Sequence, residues 1–200
     1  MPRAKEFDED EVLLKAMRLF WEQGYEKTSI NDLVECMGIY RRSLYDTFGD
    51  KHQLFLKVIE RYNTFLEGYF QTNIARANSV KQAISFLFDY MIEGYDNKPP
   101  GCLHVNMAVE LAPWDPKVNV KAGESFEWME QLIAGLIRKG LESGEFSSTR
   151  DAADLAENMH TTMLGLRVLA RTSTDRKKLH RIADSAIAML EPGQSNFSHL

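Results

Sequence analysis

Apolar residues recur at helical spacing from the first residues of the chain. Between Asp8 and Gln23 they stand at the i, i+1, i+4, i+5 and i+8 positions, which is the spacing of one helical face. Gly24 follows and can adopt the left-handed conformation that ends a helix. A stripe of about ten residues then begins at Thr28 or Ser29, and another covers about 40–47. Two short helices with a Gly-containing turn between them are typical of a helix-turn-helix.

The rest of the chain continues this periodicity in longer segments. Asp50 is placed to cap a long fourth helix, which runs to about residue 69. Further helices are predicted at about 79–94, 102–112, 117–143, 150–171 and 175–190. Few prolines interrupt these segments, and no alternating strand pattern competes with the helical one. The pattern therefore predicts an all-α protein of about nine helices.

The charge balance restricts how this protein can bind nucleic acid. The net charge is 24 − 29 = −5, so bulk attraction to phosphate is excluded and any DNA binding needs a local basic patch. Such a patch is found over 39–61, which contains five Lys and Arg residues and three Asp and Glu residues, a net charge of +2. Neither a signal-like apolar run nor a membrane-spanning one is found, and the two cysteines are far apart, so we expect a cytoplasmic protein without a membrane segment or disulfide framework.

Residues 28–55 carry a specific set of motifs. They are the hydroxyl pair Thr28-Ser29, the turn Gly38-Ile39, the run Ser43-Leu44-Tyr45, Phe48 and Lys51. Together with the first helix, this segment resembles the DNA-binding segment of the tetracycline-repressor (TetR) family. The resemblance implies an N-terminal three-helix helix-turn-helix DNA-binding domain at 1–51. It also implies a larger C-terminal helical ligand-binding and dimerisation domain at 52–200.

The third helix is predicted to read the DNA. In a helix-turn-helix the second helix enters the major groove with its N-terminal residues leading. Leu44 and Phe48 are spaced to face inward, which leaves the first turns of the other face outward. An arginine there either bridges guanine O6 and N7 or holds a phosphate, and the sequence leaves both roles open. The predicted DNA-binding residues are Ser29, Asn31, Tyr40, Arg41, Arg42, Ser43, Tyr45 and Lys51.

Three positions in this helix depart from the pattern of the family it resembles. Tyr40 stands where a small polar N-cap is usual, which weakens the cap of the third helix. Arg42 replaces a commonly small residue, and Asp46 places a negative charge close to where phosphates would lie. The operator sequence therefore does not follow from the resemblance.

One helix-turn-helix reads only a few base pairs, so two copies set about 34 to 36 Å apart are expected. The last helix has a continuous apolar stripe, and the preceding helix is apolar on more than one face. The stripe consists of Leu179, Ile182, Ala183, Ala186, Ile187 and Leu190. The resemblance implies a homodimer that pairs the last two helices of each chain, with packing inside one chain as the alternative explanation of the stripe.

The resemblance also implies a small-molecule pocket in the larger domain. Methionine and aromatic side chains would give it an adaptable apolar lining, and His104 or Glu110 would orient a polar group of the effector. The predicted lining residues are Phe86, Tyr90, His104, Met107, Glu110, Trp114, Phe126, Met129 and Met163. For each of them the alternative is ordinary core packing.

The main prediction is a transcriptional repressor that binds a palindromic operator as a dimer and is released by a small-molecule effector. The alternative is a metal- or redox-responsive helical sensor that uses Cys102 and His104, with Met107 as a further soft donor. An enzyme is not expected, because the sequence has no nucleophile and base at a recognised spacing, no Gly-rich phosphate loop and no HExxH. No cofactor is predicted.

Overall fold

The computed structural model describes residues 7–94, 99, 101–172 and 174–191. These residues form nine α-helices and one short 3-10 helix, with no strand among them, as predicted. The α-helices are α1 Glu9–Gln23, α2 Ile30–Met37, α3 Arg41–Phe48, α4 Lys51–Ala75, α5 Val80–Glu93, α6 Leu103–Glu110, α7 Pro116–Glu142, α8 Ala152–Leu169 and α9 Arg176–Ile187. The 3-10 helix, Ala188–Leu190, continues α9 to the predicted end of the last helix.

Local side-chain signals explain where the first helices begin and end. Asp8 caps α1 by accepting hydrogen bonds from the N–H groups of Asp10 and Glu11. Ser29 and Asp32 form a capping box at the start of α2, in which each side chain accepts from the backbone N–H of the other. Gly38 ends α2 in the left-handed conformation, with φ of 69°.

The chain forms two compact units. The first combines Met1–Tyr69 with Asn97–Gly123, and the second combines Phe70–Asp96 with Glu124–Leu200. The unit boundaries fall inside α4 and α7. The two units are defined by packing, whereas the predicted domains at 1–51 and 52–200 are defined by function, as a DNA-binding domain and a ligand-binding and dimerisation domain. That functional division stays a prediction.

The core of the first unit is aromatic. The Phe20 and Phe55 rings meet edge to face at 5.0 Å, and those of Trp21 and Tyr62 at 4.9 Å. All four side chains are almost completely buried. Because these residues come from α1 and α4, their packing fixes the first helix against the long one that follows the helix-turn-helix.

The second unit buries most of the apolar stripe of the last helix within its own chain. Leu179, Ala183, Ala186 and Ile187 of α9 and Leu190 after it are buried, and α9 packs against α5 and α8. Packing inside one chain is thus confirmed for these positions, and the stripe cannot be counted as support for a dimer interface. Across the described ranges no helix is both long and apolar enough to cross a bilayer.

Candidate nucleic-acid interface

Helices α2 and α3 form the predicted helix-turn-helix. Leu33 and Met37 of α2 and Leu44 and Phe48 of α3 are buried, so both helices use one face for the core of the first unit. This confirms the inward orientation predicted for Leu44 and Phe48. The opposite face of α3 is consequently presented to solvent.

The exposed face of α3 has large and charged side chains. Tyr40 is 80% exposed and Tyr45 is 44% exposed, while Arg41 and Arg42 are both exposed and Ser43 is half-buried. Tyr40 makes no side-chain hydrogen bond to the start of α3, as its residue type predicts. Exposed tyrosines beside arginines are a surface suited to a partner that offers phosphates and base edges.

The two arginines have different neighbours. The Nη2 of Arg41 donates to Oδ1 of Asn31 on α2 at 2.7 Å, which links the start of the third helix to the second. Arg42 Nε lies 3.5 Å from Oδ2 of Asp46 one turn further along α3, and both of these side chains are highly exposed. The surface pair is weak in water. Arg41 is therefore oriented by a neighbouring helix, and Arg42 is held only loosely.

Two further predicted contacts lie at the ends of the motif. The hydroxyl of Ser29, before α2, accepts from the N–H of Asp32. Lys51, the first residue of α4, places its Nζ 4.1 Å from the centre of the Tyr25 ring, a cation–π contact. Burial, together with the nearby carboxylates of Glu26, Asp50 and Asp115, raises the pKa of Tyr25, so it stays a neutral phenol near neutral pH.

Four of the predicted pocket residues, His104, Met107, Glu110 and Trp114, belong to the first unit. His104 and Glu110 are hydrogen-bonded to other parts of this unit, and Trp114 is exposed to solvent. His104 is buried, with Nε2 2.6 Å from Oδ1 of Asn63. Met107 is buried in the same core. The Glu110 carboxylate accepts hydrogen bonds from the α1–α2 turn, and Trp114 is 83% exposed. An indole this exposed is not part of an enclosed lining.

The other five predicted pocket residues all belong to the second unit. Tyr90, Met129 and Met163 are buried, and Phe86 and Phe126 are half-buried. Tyr90 packs edge to face on Phe70 at 4.8 Å. Aromatic and methionine side chains make an adaptable interior, and a ligand-lining role for these five residues stays a prediction.

Two polar side chains in the second unit were not among the predicted site residues. Arg167 is 4% exposed, and its Nη1 donates to the carbonyls of Tyr90 and Met91 at the C-terminal end of α5. His160 is 3% exposed and places Nδ1 3.0 Å from Oε1 of Glu130. A sequence signal for Arg167 exists, because it is a single cation inside the apolar run Met-Leu-Gly-Leu-Arg-Val-Leu of α8. Its role there is that of a cation at a helix C-terminus.

A separate groove of about 520 Å³ lies at the end of the second unit. Half of its lining side chains carry a hydroxyl group, and none of the predicted pocket residues is among them. The walls are formed by Ser147, Ser148, Thr149, Arg150, Ser185, Ala188, Met189 and Glu191.

The residues of the alternative sensor hypothesis do not come together as a metal site. Cys102 is buried, and its Sγ accepts from the Tyr62 hydroxyl at 3.8 Å. Over the described part of the chain, no group of three or more His, Cys, Asp or Glu side chains is arranged to hold a metal ion. Cys36 lies on α2 and is largely exposed, but partial desolvation of its thiol and the charge of Glu22 raise the pKa of that thiol, a shift that disfavours the reactive thiolate.

Comparison with known proteins agrees with this arrangement. Residues 12–58 match "Bacterial regulatory proteins, tetR family", and residues 80–186 match "Tetracyclin repressor-like, C-terminal domain". The chain is 30% identical over 194 residues to the uncharacterized HTH-type transcriptional regulator YezE of Bacillus subtilis, covering 96% of this chain and 100% of the relative. It is 30% identical over 190 residues to the HTH-type transcriptional repressor ComR of Escherichia coli, covering 94% and 90%.

A solved structure shows the same fold with DNA. The TetR family transcriptional regulator CifR, as a cysteine mutant complexed with 26 bp double-strand operator DNA, is 30% identical to this chain with a TM-score of 0.80, covering 94% of this chain and 98% of that one. The second matched region spans more than half of the sequence, and the helix-turn-helix match covers α2 and α3 completely. The chain belongs to the TetR family and is a DNA-binding transcriptional regulator, not an enzyme.

Proposed function

We propose that this protein is a cytoplasmic repressor that binds a palindromic operator as a homodimer and leaves it when a small molecule binds the second unit. The observation that carries the proposal is the outward face of α3, where Arg41, Arg42 and Tyr45 are exposed while Leu44 and Phe48 anchor the helix from behind. A rigidly backed helix with cations in its first turn is what the major groove admits. A repressor follows from the named relatives, which include a repressor and an operator complex.

The neighbours of the two arginines support separate roles for them. Arg41 is oriented by Asn31 and has donors left over for a bidentate contact, so we assign it to a guanine in each half-site. Asn31 then acts as a support for Arg41 rather than as a base contact of its own. Arg42, exposed and loosely paired with Asp46, is assigned to a phosphate.

The operator and these roles can be tested by selecting duplexes from random-sequence DNA. The wild-type protein is expected to select an inverted repeat with one preferred guanine position per half-site. Arg41→Ala is expected to relax the preference at that position, whereas Arg42→Ala lowers affinity for all sequences about equally. Selection of a direct repeat, or an unchanged base preference with Arg41→Ala, would refute the assignment.

The dimer surface is proposed to lie on the outer face of α8. Its inner face is buried in the second unit, but Thr161, Gly165 and Val168 recur at helical spacing on the other side and are exposed, with Val168 50% exposed. Small and apolar residues in one row allow a second α8 to approach closely. Sedimentation velocity of Gly165→Arg tests this surface: we expect a monomer with native helix content, and an unchanged dimer would refute it.

The effector site is proposed to lie in the interior of the second unit, at Phe86, Tyr90, Phe126, Met129 and Met163. Buried methionines and aromatics suit an apolar molecule, and a ligand that favours one conformation of this unit shifts operator binding by its difference in affinity. Native mass spectrometry of the purified protein tests for a co-purified molecule, which should release the operator when added back. Met163→Trp is expected to abolish that release and leave operator binding intact. Release that persists in this variant would refute the location.

A further inference from the structure

Helix α6 makes polar contacts with the reading head, by which we mean α1 to α3, residues 9–48. Asn106 Nδ2 donates to the backbone carbonyl of Trp21, near the end of α1, at 3.2 Å. One helical turn later, the Glu110 carboxylate accepts from the N–H groups of Tyr25 at 2.9 Å and Glu26 at 2.8 Å. All of these residues belong to the first unit. One face of α6 therefore holds the turn that leads into the helix-turn-helix.

The geometry at this turn is closely fitted to a carboxylate. Two consecutive backbone N–H groups point at its two oxygens, and hydrogen bonds from N–H to an ionised acceptor are stronger than neutral ones. Gly24 has φ of 85°, and a Cβ there would lie only 2.9 Å from Oε2 of Glu110. The turn is closed from the other side by the buried Thr28, whose hydroxyl donates to the Gly24 carbonyl at 2.6 Å. The carboxylate thus replaces hydrogen bonds that the turn does not form within itself.

A second contact holds the other end of the helix-turn-helix. His52, in the first turn of α4, places Nε2 2.5 Å from Oδ2 of Asp115, five residues beyond Glu110. The segment 106–115 therefore contacts the chain just before α2 and just after α3. Neither contact involves the outward face of α3. Any effect of these two contacts on DNA binding must therefore come from the position in which they hold the reading head.

We propose that Glu110 is a positioning residue for operator binding. Its carboxylate fixes the α1–α2 turn, and with it α2 and α3, to α6. In a dimer this holds the two reading helices at the separation that two half-sites require, since half-sites lie about one helical turn apart. A reading head without this contact still reads a half-site, but its position must be fixed when both heads bind together, and the entropy lost in doing so weakens binding to the full operator. The proposal rests on the dimeric DNA binding proposed above.

The test compares Glu110→Gln with Glu124→Gln on three kinds of DNA. Gln keeps the shape of Glu110 but replaces one acceptor oxygen by an NH2 group, which repels a backbone N–H. Glu124 is an exposed carboxylate on α7, so its variant carries the same charge change away from the turn. The duplexes are the operator selected by the wild-type protein, a duplex with one half-site scrambled, and operators with one base pair added or removed at the centre.

We expect Glu110→Gln to lose about tenfold in affinity for the full operator and less than about twofold for the half-site. Altered spacing should cost this variant less than it costs the wild type, because its heads are less strictly placed. Glu124→Gln should match the wild type on all duplexes. Equal losses on full and half-sites, or wild-type behaviour of Glu110→Gln, would overturn the positioning role.

Amide hydrogen exchange measured by NMR reports on the contact itself without DNA. The Tyr25 and Glu26 amides should exchange about tenfold faster or more in Glu110→Gln, while the Leu44 amide in α3 keeps its protection. Unchanged protection at Tyr25 and Glu26 would overturn the proposal. If the wild-type protein selects no operator, the proposed function fails and the positioning role falls with it. If the wild type binds and the variant binds equally, only the positioning role fails.

Discussion

The packing of Phe146 on Gly140 gives a sharp prediction for the second unit. After α7 the chain turns back, and Phe146 donates its N–H to the Gly140 carbonyl at 3.0 Å while its ring lies over that glycine. A Cβ at Gly140 would stand 2.1 Å from Cδ2 of Phe146 and 2.3 Å from Cε2. Carbon atoms in contact normally lie about 3.5 to 4.0 Å apart. Gly140→Ala must therefore move a ring that is only 4% exposed.

The cost follows from two opposing terms. Overpacking a filled core costs about 1 to 3 kcal/mol, and the 2.1 Å approach belongs at the upper end. Alanine is better than glycine in a helix interior by about 1 kcal/mol. The free energy of unfolding should consequently fall by about 2 kcal/mol, which corresponds to roughly 4 to 8 °C in Tm for a chain of this size.

Urea unfolding followed by circular dichroism at one fixed protein concentration measures this change. Gly123→Ala is the matched control, because Gly123 is on the same helix with no atom near its Cβ position. It should stabilise the protein by up to about 1 kcal/mol. Phe146→Ala alone should cost about 3 to 5 kcal/mol and clearly less in the Gly140→Ala background. A Gly140→Ala protein as stable as the control would refute the packing described.

Three local predictions concern the helix starts. Tyr40→Ser supplies the N-cap that α3 lacks and should raise the free energy of unfolding by about 0.5 to 1 kcal/mol in urea; no gain would mean that the uncapped start costs nothing. Ser29→Ala should cost about 1 kcal/mol by removing the α2 cap. The side-chain and backbone hydrogen bonds from Ser29 lower the pKa of Asp32, so Asp32 binds its proton more tightly in the unfolded chain than in the folded one. The ionised Asp32 therefore stabilises the fold fully above its unfolded-state pKa, and this contribution is lost as the pH falls through its folded-state pKa. Unfolding measured from about pH 6 to about pH 3 should show a shallower acid loss for Ser29→Ala than for the wild type, and parallel curves would contradict this. Burial raises the pKa of Asp115, but the hydrogen bonds from the Val118 N–H and the His52 side chain outweigh burial, so the net pKa lies below its usual value. Asp115→Ala should lower the free energy of unfolding by about 1 to 2 kcal/mol because it uncaps α7, and a wild-type Tm would exclude that role.

Most of the fold was predictable because its signals are local. The capping box at Ser29 and Asp32, the glycine after each short helix and the spacing of Leu44 and Phe48 all lie within a few residues of the features they determine. The spacing of Leu44 and Phe48 alone predicted which face of α3 is buried. The solvent-exposed face, which has the arginines, is then the opposite one. The small shifts at helix ends arise where helices fray or tighten, as at Ala188–Leu190.

The polar contacts of the first unit were not predictable, because they join distant parts of the chain. Glu110 meets backbone groups 84 and 85 residues away, and no periodicity in α6 indicates a partner in the α1–α2 turn. Helical spacing likewise could not distinguish an exposed Trp114 from a pocket residue. The same limit applies to α9, where an apolar stripe has the same spacing whether a partner chain or its own unit covers it.

If the basic face of α3 holds duplex DNA, operator affinity must depend strongly on salt, and equilibrium binding to the selected operator over a range of salt concentrations measures this dependence. The wild type should show a steep fall in affinity with salt, as phosphate contacts require. Arg41→Ala combined with Arg42→Ala should bind about thirtyfold or more weakly, since two guanine contacts per dimer are lost, and its salt slope should be shallower by about 2. An operator affinity and a salt slope equal to those of the wild type would mean that α3 does not hold the DNA through these arginines.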